Sequence, residues 1–161
     1  GGASVGDHDL IREVLGDVGL NVNFWKIAMR PGKPLIFGDF NGIPLLGLPG
    51  NPVSSMVCAL IFLKPALEAQ LGLAESEDDL ETAIISEALN KNGNREDFVR
   101  ASSTKAQDGI IRVKPFPIQD SSMMLLLAQS NCFIVREPEA PAVQAGSPVR
   151  ILRMPTRRPS F

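Results

Sequence analysis

Residue types that mark nucleic-acid binding are scarce in this chain of 161 residues. It has no tyrosine and a single tryptophan, and its formal net charge is −2. Proteins that bind nucleic acid combine a basic surface with aromatic rings that stack on bases. We therefore expect no nucleic-acid partner.

Histidine and cysteine are also few, which limits the catalytic, metal-binding and redox roles open to the chain. His8, the only histidine, lies between two aspartates with no serine or cysteine at a recognisable spacing, so we expect an exposed side chain without a catalytic role. The cysteines, Cys58 and Cys132, have neither metal-ligand nor redox spacing. We predict two buried thiols in a reducing compartment, and hence a cytoplasmic protein.

Long apolar runs and a secretory signal are missing too. The most apolar stretch, residues 53–71, is charged by Lys64 and interrupted by Pro65, so we expect no membrane partner. The N-terminal residues have no basic or apolar signal region. They open on a glycine pair and a polar loop with no strand before it, which is typical of a fragment of a longer protein.

The stretch with the most candidate functional features is residues 24–55, FWKIAMRPGKPLIFGDFNGIPLLGLPGNPVSS. It holds three cations, two tight turns and the start of a helix. Asn51 suits a helix N-cap and Pro52 the first helical position, so the next backbone N–H groups would face an anion at the positive end of the helix dipole. Turn chemistry alone also explains the Pro and Gly content, with the cations as solvated surface. The residues leave both interpretations open. The cations of this stretch are Lys26, Arg30 and Lys33.

Periodicity divides the chain at the acidic residues 73–80. Residues before it show helical spacing at 10–18 and 53–71, whereas residues after it alternate in short runs. We predict an α/β part over residues 1–73, an all-β barrel or sandwich over residues 74–155 and a frayed tail over 156–161. The predicted strands are 23–29, 35–40, 43–48, 82–88, 97–104, 110–115, 132–136 and 148–152, with a hairpin turn at Asn41-Gly42 and a short helix at 123–129.

Two further loops suit anions, although each also has a plain structural explanation. GGASVGD at the N-terminus could cradle a phosphate with its glycine amides, with Asp7 or Asp9 holding Mg²⁺, or it could be a turn with an aspartate as helix cap. Arg100 and Ser121, in the second half, could bind a tetrahedral oxyanion. Ser121 could equally be only a helix cap.

Taken together, GGASVGDHD, FWKIAMRPGKPLIFG, GLPGNPVSS, DFVRA, QDSS and the Gly-Ser-Pro-Val-Arg-Ile strand resemble the molybdopterin molybdenumtransferase family. This family includes the bacterial MoeA type and is similar to the C-terminal domain of gephyrin. The resemblance runs over nearly the whole chain in order, and MRPGKP with GLPGNPVSS is its most specific part. It implies a C-terminal fragment: the last part of a three-layer α/β/α molybdopterin-binding domain, followed by a small C-terminal β-barrel.

The resemblance also implies a function for the longer parent. The family inserts molybdenum from molybdate into adenylylated molybdopterin and releases AMP with Mg²⁺, and the fragment alone is expected to be inactive. A homodimer in the full-length form and a partner of the molybdopterin-adenylyltransferase type are further implications. The alternative is a non-catalytic, gephyrin-like scaffold that binds other proteins.

The family's functional residues match positions of this sequence. The resemblance implies catalytic roles for Asp9 and Lys26, with Asp9 also a ligand of Mg²⁺. It implies molybdate binding by Arg30, Lys33, Arg100 and Ser121, and molybdopterin or phosphate binding by Gly2, Ser4, Gly6, Gly50, Asn51 and Ser54. Asp120 departs from the family's Gln-Gly-Ser and adds a negative charge beside the implied dianion site.

Overall fold

The computed structural model describes residues 19–73, 80–120 and 123–155. The chain divides into two compact units, Gly1–Glu75 and Ser76–Phe161. In the described residues the first unit mixes strands with a long helical segment, and the second is built of strands with one short helix. The predicted class, α/β followed by an all-β barrel, is confirmed. The predicted helix at residues 10–18 lies outside the described residues.

The first unit contains a three-stranded antiparallel sheet. Its strands are β1 (Leu20–Trp25), β3 (Ile36–Phe40) and β4 (Ile43–Gly47), in the order β1-β3-β4, and the two-residue β2 (Met29–Arg30) lies in the connection from β1 to β3. The strands β3 and β4 form a hairpin. Asn41 and Gly42 both have positive φ, of 52° and 83°, as the tight turns that suit twisted strands require. The predicted hairpin is confirmed.

The first strand differs from its predicted range of 23–29. It begins at Leu20 and ends at Trp25, because Lys26 adopts a φ of 68°. That left-handed conformation cannot continue an extended strand. The alternation of apolar residues in the sequence carries no sign of this break.

The predicted helix at residues 53–71 is present as α1 (Pro52–Cys58), a π-helical segment (Ala59–Leu63) and α2 (Lys64–Gln70), which follow one another directly. We expected Pro65 to kink or split the helix, because proline lacks an N–H and its ring crowds the preceding turn. The α-helix is interrupted before Pro65, as expected, by the π-helical segment, at whose end the N–H of Lys64 bonds to the carbonyl of Ala59, five residues back. This wider turn accommodates the proline without ending the helix.

Length and composition alone would allow this helical segment to cross a membrane. Pro52–Gln70 has 19 residues and a mean hydropathy of 1.4. By length and hydropathy, therefore, Lys64 and Pro65 do not rule out a membrane-spanning run, and that prediction is wrong. A single such helix is weak evidence for a membrane protein, because a core helix of a soluble protein passes the same test.

The second unit is a closed five-stranded barrel. The strands run in the order β6-β7-β5-β9-β8, and β8 pairs back onto β6, so the sheet has no open edge. The neighbours β5 and β7 are parallel and the other pairs are antiparallel. The strands are β5 (Leu80–Ile85), β6 (Glu96–Lys105), β7 (Ile111–Pro115), β8 (Cys132–Arg136) and β9 (Pro148–Arg153), and α3 (Met124–Gln129) lies between β7 and β8.

Alternate residues of these strands fill the barrel, as the two-residue periodicity predicted. The buried core consists of Ala83, Ile85, Val99, Ala101, Val113, Cys132, Ile134, Val149 and Ile151. All five predicted strands and the short helix are confirmed, with ends that differ by at most a few residues. Both cysteines are buried and unpaired, as predicted.

A buried arginine also fastens the loops at one end of the barrel. Arg136 is 5% exposed, and its Nη2 donates to the carbonyls of Asn90 and Ala140 at 3.3 Å and of Pro141 at 2.5 Å. Burial lowers the pKa of Arg136, and the nearby Asp97 carboxylate opposes that shift. The barrel therefore uses a buried guanidinium as a structural group.

Truncating the barrel core should destabilise the fold. Ile134 is fully buried, so Ile134→Ala should lower the free energy of unfolding by about 2–4 kcal/mol through lost burial and a residual cavity. Ile110→Ala, at a position 44% exposed, is the matched control and should cost less than about 1 kcal/mol. Urea unfolding followed by circular dichroism measures both, and equal losses would contradict the assignment of the core.

Candidate functional site

The first candidate site is the loop 26–35, which joins β1 to β3 and is called here the cationic loop. Two backbone hydrogen bonds close its base: the N–H of Lys26 donates to Leu35 O at 3.1 Å, and that of Ile27 donates to Lys33 O at 2.9 Å. Lys26, Arg30 and Lys33 are all exposed along it. Three cationic side chains are thus displayed on one closed loop.

Lys26 has two unusual features. Its φ of 68° is rare for a residue with a side chain, and such conformations concentrate at functional sites. Its ammonium lies over the ring of Trp25, 3.6 Å from the centroid, which is a cation–π contact. The neighbouring indole therefore sets where this charge is held.

The tip of the cationic loop packs on the helix α1. Gly32 has a φ of 122°, and a Cβ there would lie 2.4 Å from Met29 Cε and 2.7 Å from Cys58 Sγ. The thiol of Cys58 also makes a weak, 3.8 Å contact with Gly32 O. Burial raises the pKa of Cys58 to about 12, so the group stays a neutral thiol and acts in packing rather than as a nucleophile.

The start of α1 differs from our expectation of free amides facing an anion. Asn51 caps the helix as predicted, and its Oδ1 accepts from the N–H groups of Val53 at 3.1 Å and Ser54 at 3.3 Å. The N–H of Ser55 bonds to Asn51 O at 2.8 Å, and Pro52 has no N–H. The first turn therefore uses its own donors, and an anion there would have to displace the Asn51 side chain.

An apolar groove of about 440 Å³ also lies in this unit, and it has the wrong chemistry for an anion. Its floor includes a stacked aromatic pair, Phe24 and Phe37, with ring centroids 5.4 Å apart. Gln70 is the polar exception in an otherwise apolar lining. The lining residues are Phe24, Phe37, Pro44, Leu45, Leu46, Phe62, Leu63, Ala66, Leu67 and Gln70.

The second candidate region is around Arg100 on β6 of the barrel. Arg100 is only 2% exposed. Its Nη2 donates to Asp120 O at 2.8 Å and its Nη1 to Met123 O at 3.3 Å, and a longer contact of 3.5 Å reaches Ile118 O. The guanidinium predicted to bind molybdate is thus directed at backbone carbonyls of its own unit.

Gln119 completes this arrangement. Its Oε1 accepts from the N–H of Arg100 at 2.9 Å and from Nε of the same residue at 3.4 Å. Its Nε2 donates to Arg100 O at 3.1 Å and to Phe116 O at 2.7 Å. The side chain of Gln119 therefore pairs with the backbone of β6 much as a neighbouring strand would.

Several predicted site residues lie outside the described residues. They are Gly2, Ser4, Gly6, Asp9 and Ser121. Within the described ranges no group of three or more His, Cys, Asp or Glu residues could hold a metal ion.

Sequence reasoning missed three contacts at these sites. The Trp25–Lys26 contact depends on the left-handed backbone conformation of Lys26, which the sequence pattern does not indicate. The packing of Gly32 on Cys58 joins residues 26 positions apart, although the Pro-Gly dipeptide signals that Gly32 has a special conformation. The link between Arg100 and Gln119 depends on how β6 and the following connection meet.

Comparison with known families covers most of the chain. Residues 1–69 match the profile described as "Probable molybdopterin binding domain", and residues 82–154 match "MoeA C-terminal region (domain IV)". The molybdopterin molybdenumtransferase of Haemophilus influenzae is 40% identical over 152 residues, which are 94% of this chain and 37% of that protein. The protein of that name from Nostoc sp. is 31% identical over 160 residues, 96% of this chain and 36% of its own length. The chain thus spans little more than a third of these relatives.

Solved structures support the same fold. The molybdopterin biosynthesis moea protein from Pyrococcus horikosii superposes with a TM-score of 0.72 at 23% identity, over 91% of this chain and 35% of that one. A molybdenum cofactor biosynthesis protein from Pyrococcus furiosus gives 0.67 at 24% identity, over 92% of this chain and 55% of that one. At these identities the likeness concerns the fold.

The packing of the cationic loop on α1 can be tested at its glycine. Gly32→Ala should destabilise the protein by about 2–4 kcal/mol, because the methyl group adds overpacking to an unfavourable φ. The matched control is Gly42→Ala, which also has a positive φ but open space around its Cβ, and it should cost only about 1 kcal/mol. Urea unfolding gives both values. Equal losses would show that the contact with Met29 and Cys58 does not hold the loop.

Proposed function

Because the chain belongs to the molybdopterin molybdenumtransferase (MoeA) family, we propose that its cationic loop binds molybdate in the reaction that inserts molybdenum into adenylylated molybdopterin and releases AMP. The family membership supports a role in molybdenum cofactor biosynthesis. The chain spans about 37% of the relative from Haemophilus influenzae. The complete reaction is therefore proposed for a longer protein of the same length as such relatives.

The observation that carries the proposal is the placement of Lys26, Arg30 and Lys33 on one closed, exposed loop. A tetrahedral dianion needs charge-assisted hydrogen bonds, which are shorter and stronger than neutral ones. The guanidinium of Arg30 offers a planar fork, and the ammonium of Lys33 offers a compact point charge. We assign the direct contacts with molybdate to these two side chains.

Lys26 has a separate role in this proposal. Its ammonium starts from a fixed position over the Trp25 ring, so it is pre-organised at the edge of the loop. We propose that it neutralises the phosphate of the leaving AMP when water attacks the phosphoanhydride of the adenylylated substrate and breaks its P–O bond. Electrostatic stabilisation of this kind lowers the barrier without a side-chain nucleophile.

The start of α1 contributes in a different way from the one expected. The amides of its first turn bond to Asn51. We therefore assign the pterin phosphate to the exposed Gly50 and to the solvent-facing side of Asn51. Ser54 is 6% exposed and its N–H is bonded to Asn51, so we do not assign the phosphate to it. The roles of Gly2, Ser4, Gly6 and Ser121, and that of Asp9 as a ligand of Mg²⁺, remain predictions from the resemblance.

The cellular compartment and the partners of the protein are also proposals. We propose a cytoplasmic protein, since both thiols of the chain are unpaired. A homodimer of the longer protein and a partner of the molybdopterin-adenylyltransferase type remain proposals from the resemblance. None of the described contacts favours the gephyrin-like scaffold over the enzyme.

Removing either cation should weaken molybdate binding. Arg30→Ala and Lys33→Ala should each raise the Kd for molybdate about tenfold or more, since a hydrogen bond to a charged group contributes roughly 1.5–3 kcal/mol. Equilibrium dialysis with molybdate measures the Kd, and molybdenum insertion into adenylylated molybdopterin by the longer protein carrying the same substitution measures the activity.

The matched control is Lys91→Ala. Lys91 is an exposed lysine of the barrel unit, 2.8 Å from Glu139, and its removal should change neither value. Wild-type binding and insertion in both loop variants would reject the cationic loop as the molybdate site.

A further inference from the structure

We propose that Trp25 is a positioning residue of the candidate site: the face of its indole holds the ammonium of Lys26 away from the molybdate ligands and ready for the leaving phosphate. This inference rests on the proposed role of Lys26, and it adds a residue that was not among the predicted site residues. It follows from how β1 anchors the ring, from the conformation of Lys26 and from the closure of the cationic loop.

The indole of Trp25 is carried by the sheet of the first unit. Trp25 is the last residue of β1, and it lies opposite Ile36 of β3 in an antiparallel pair. Directly opposite residues share a face of the sheet, and Ile36 is fully buried. The ring of Trp25 therefore starts from the buried face, and it is itself only partly exposed. Because an indole has few rotatable bonds, it is a stiff support for a more mobile side chain.

Lys26 is held at both of its ends. Its backbone N–H donates to Leu35 O at 3.1 Å, and its φ of 68° turns the chain out of β1. At the other end, the ammonium lies 3.6 Å from the centroid of the Trp25 ring, within the range of a cation–π contact. A lysine side chain has many rotamers to lose. The contact at its tip therefore removes freedom that ligand binding would otherwise have to remove.

The closure of the cationic loop explains what this restraint does. The N–H of Ile27 bonds to Lys33 O at 2.9 Å, which places Lys26 and Lys33 close to one another at the base of the loop. With its side chain free, Lys26 could swing toward the anion assigned to Arg30 and Lys33. On the indole it stays a separate charge for the phosphate of the leaving AMP. A charge that is fixed before the reaction needs no reorganisation during it.

The first test separates molybdate binding from insertion. Trp25→Leu should leave the Kd for molybdate within about twofold in equilibrium dialysis, but it should slow insertion by the longer protein carrying the same substitution about tenfold, since it disturbs a charge used in the transition state. Trp25→Phe should recover part of the rate, because phenylalanine keeps an aromatic face. Phe24→Leu is the matched control: this aromatic residue of the same strand stacks on Phe37, and its substitution should change neither value.

A double variant shows whether Trp25 acts through Lys26. Lys26→Ala removes the charge and should by itself slow insertion about tenfold or more. Adding Trp25→Leu to Lys26→Ala should slow insertion by less than about twofold further, because residues that act as one unit are not additive.

Fluorescence provides a readout that does not depend on molybdate. Trp25 is the only tryptophan of this chain, so the indole emission of the chain comes from this residue. Lys26→Ala should raise the acrylamide quenching constant about 1.5-fold, because it uncovers the ring face that the cation–π contact shields. Lys91→Ala, in the barrel unit, should leave the quenching constant unchanged.

Three results would overturn the inference. The first is wild-type insertion in Trp25→Leu, and the second is unchanged quenching in Lys26→Ala. The third is a loss on adding Trp25→Leu to Lys26→Ala that is as large as the loss in Trp25→Leu alone, as expected if the indole acts independently of the lysine.

Failure of the proposed function gives different results. Wild-type insertion in Lys26→Ala would reject the proposed role of Lys26, and the inference with it. Wild-type molybdate binding in Arg30→Ala and Lys33→Ala would reject the molybdate site, whereas the insertion rates and the quenching would still decide the role of Trp25.

Discussion

The contact of Gly32 with Met29 and Cys58 is the constraint on which the candidate site of the first unit depends. A Cβ at this point would lie 2.4 Å from Met29 Cε and 2.7 Å from Cys58 Sγ, so glycine allows a loop of charged residues to lie directly on an apolar helix. The two hydrogen bonds at the base then close the loop, and its cationic side chains are left facing outward. Buried thiol and methionine atoms thus fix the position of a hydrophilic surface, as packing beneath a candidate binding loop should.

Burial separates two uses of positive charge in this chain. Arg30 and Lys33 are exposed on the cationic loop, where we propose that they bind molybdate. Arg100 and Arg136 are almost fully buried, and backbone carbonyls accept their hydrogen bonds. For a buried guanidinium, exchanging these partners for a ligand would leave polar groups without partners. Arginine therefore organises loops in the barrel unit, whereas we propose that it binds a ligand in the first unit.

The sequence was sufficient for features set by local pattern. Alternating apolar residues predicted the five barrel strands, and Asn41-Gly42 predicted the hairpin, because both depend on neighbours in the chain. The end of β1 was misplaced, since the left-handed conformation of Lys26 follows from how the loop closes. The π turn before Pro65 and the burial of Arg100 were missed for the same reason: both depend on contacts that form only in the folded chain. The motifs predicted the cations of the two candidate regions. They could not show that those of the cationic loop are exposed while Arg100 is buried.

The central claim is that Arg30 and Lys33 hold molybdate on the cationic loop. The most direct measurement is an anomalous difference map at the molybdenum edge, from crystals of the protein grown with molybdate. The account predicts a single strong peak within hydrogen-bonding distance of the side chains of Arg30 and Lys33, and its loss in Lys33→Ala. A peak bound elsewhere, with these two side chains pointing into solvent, would contradict it.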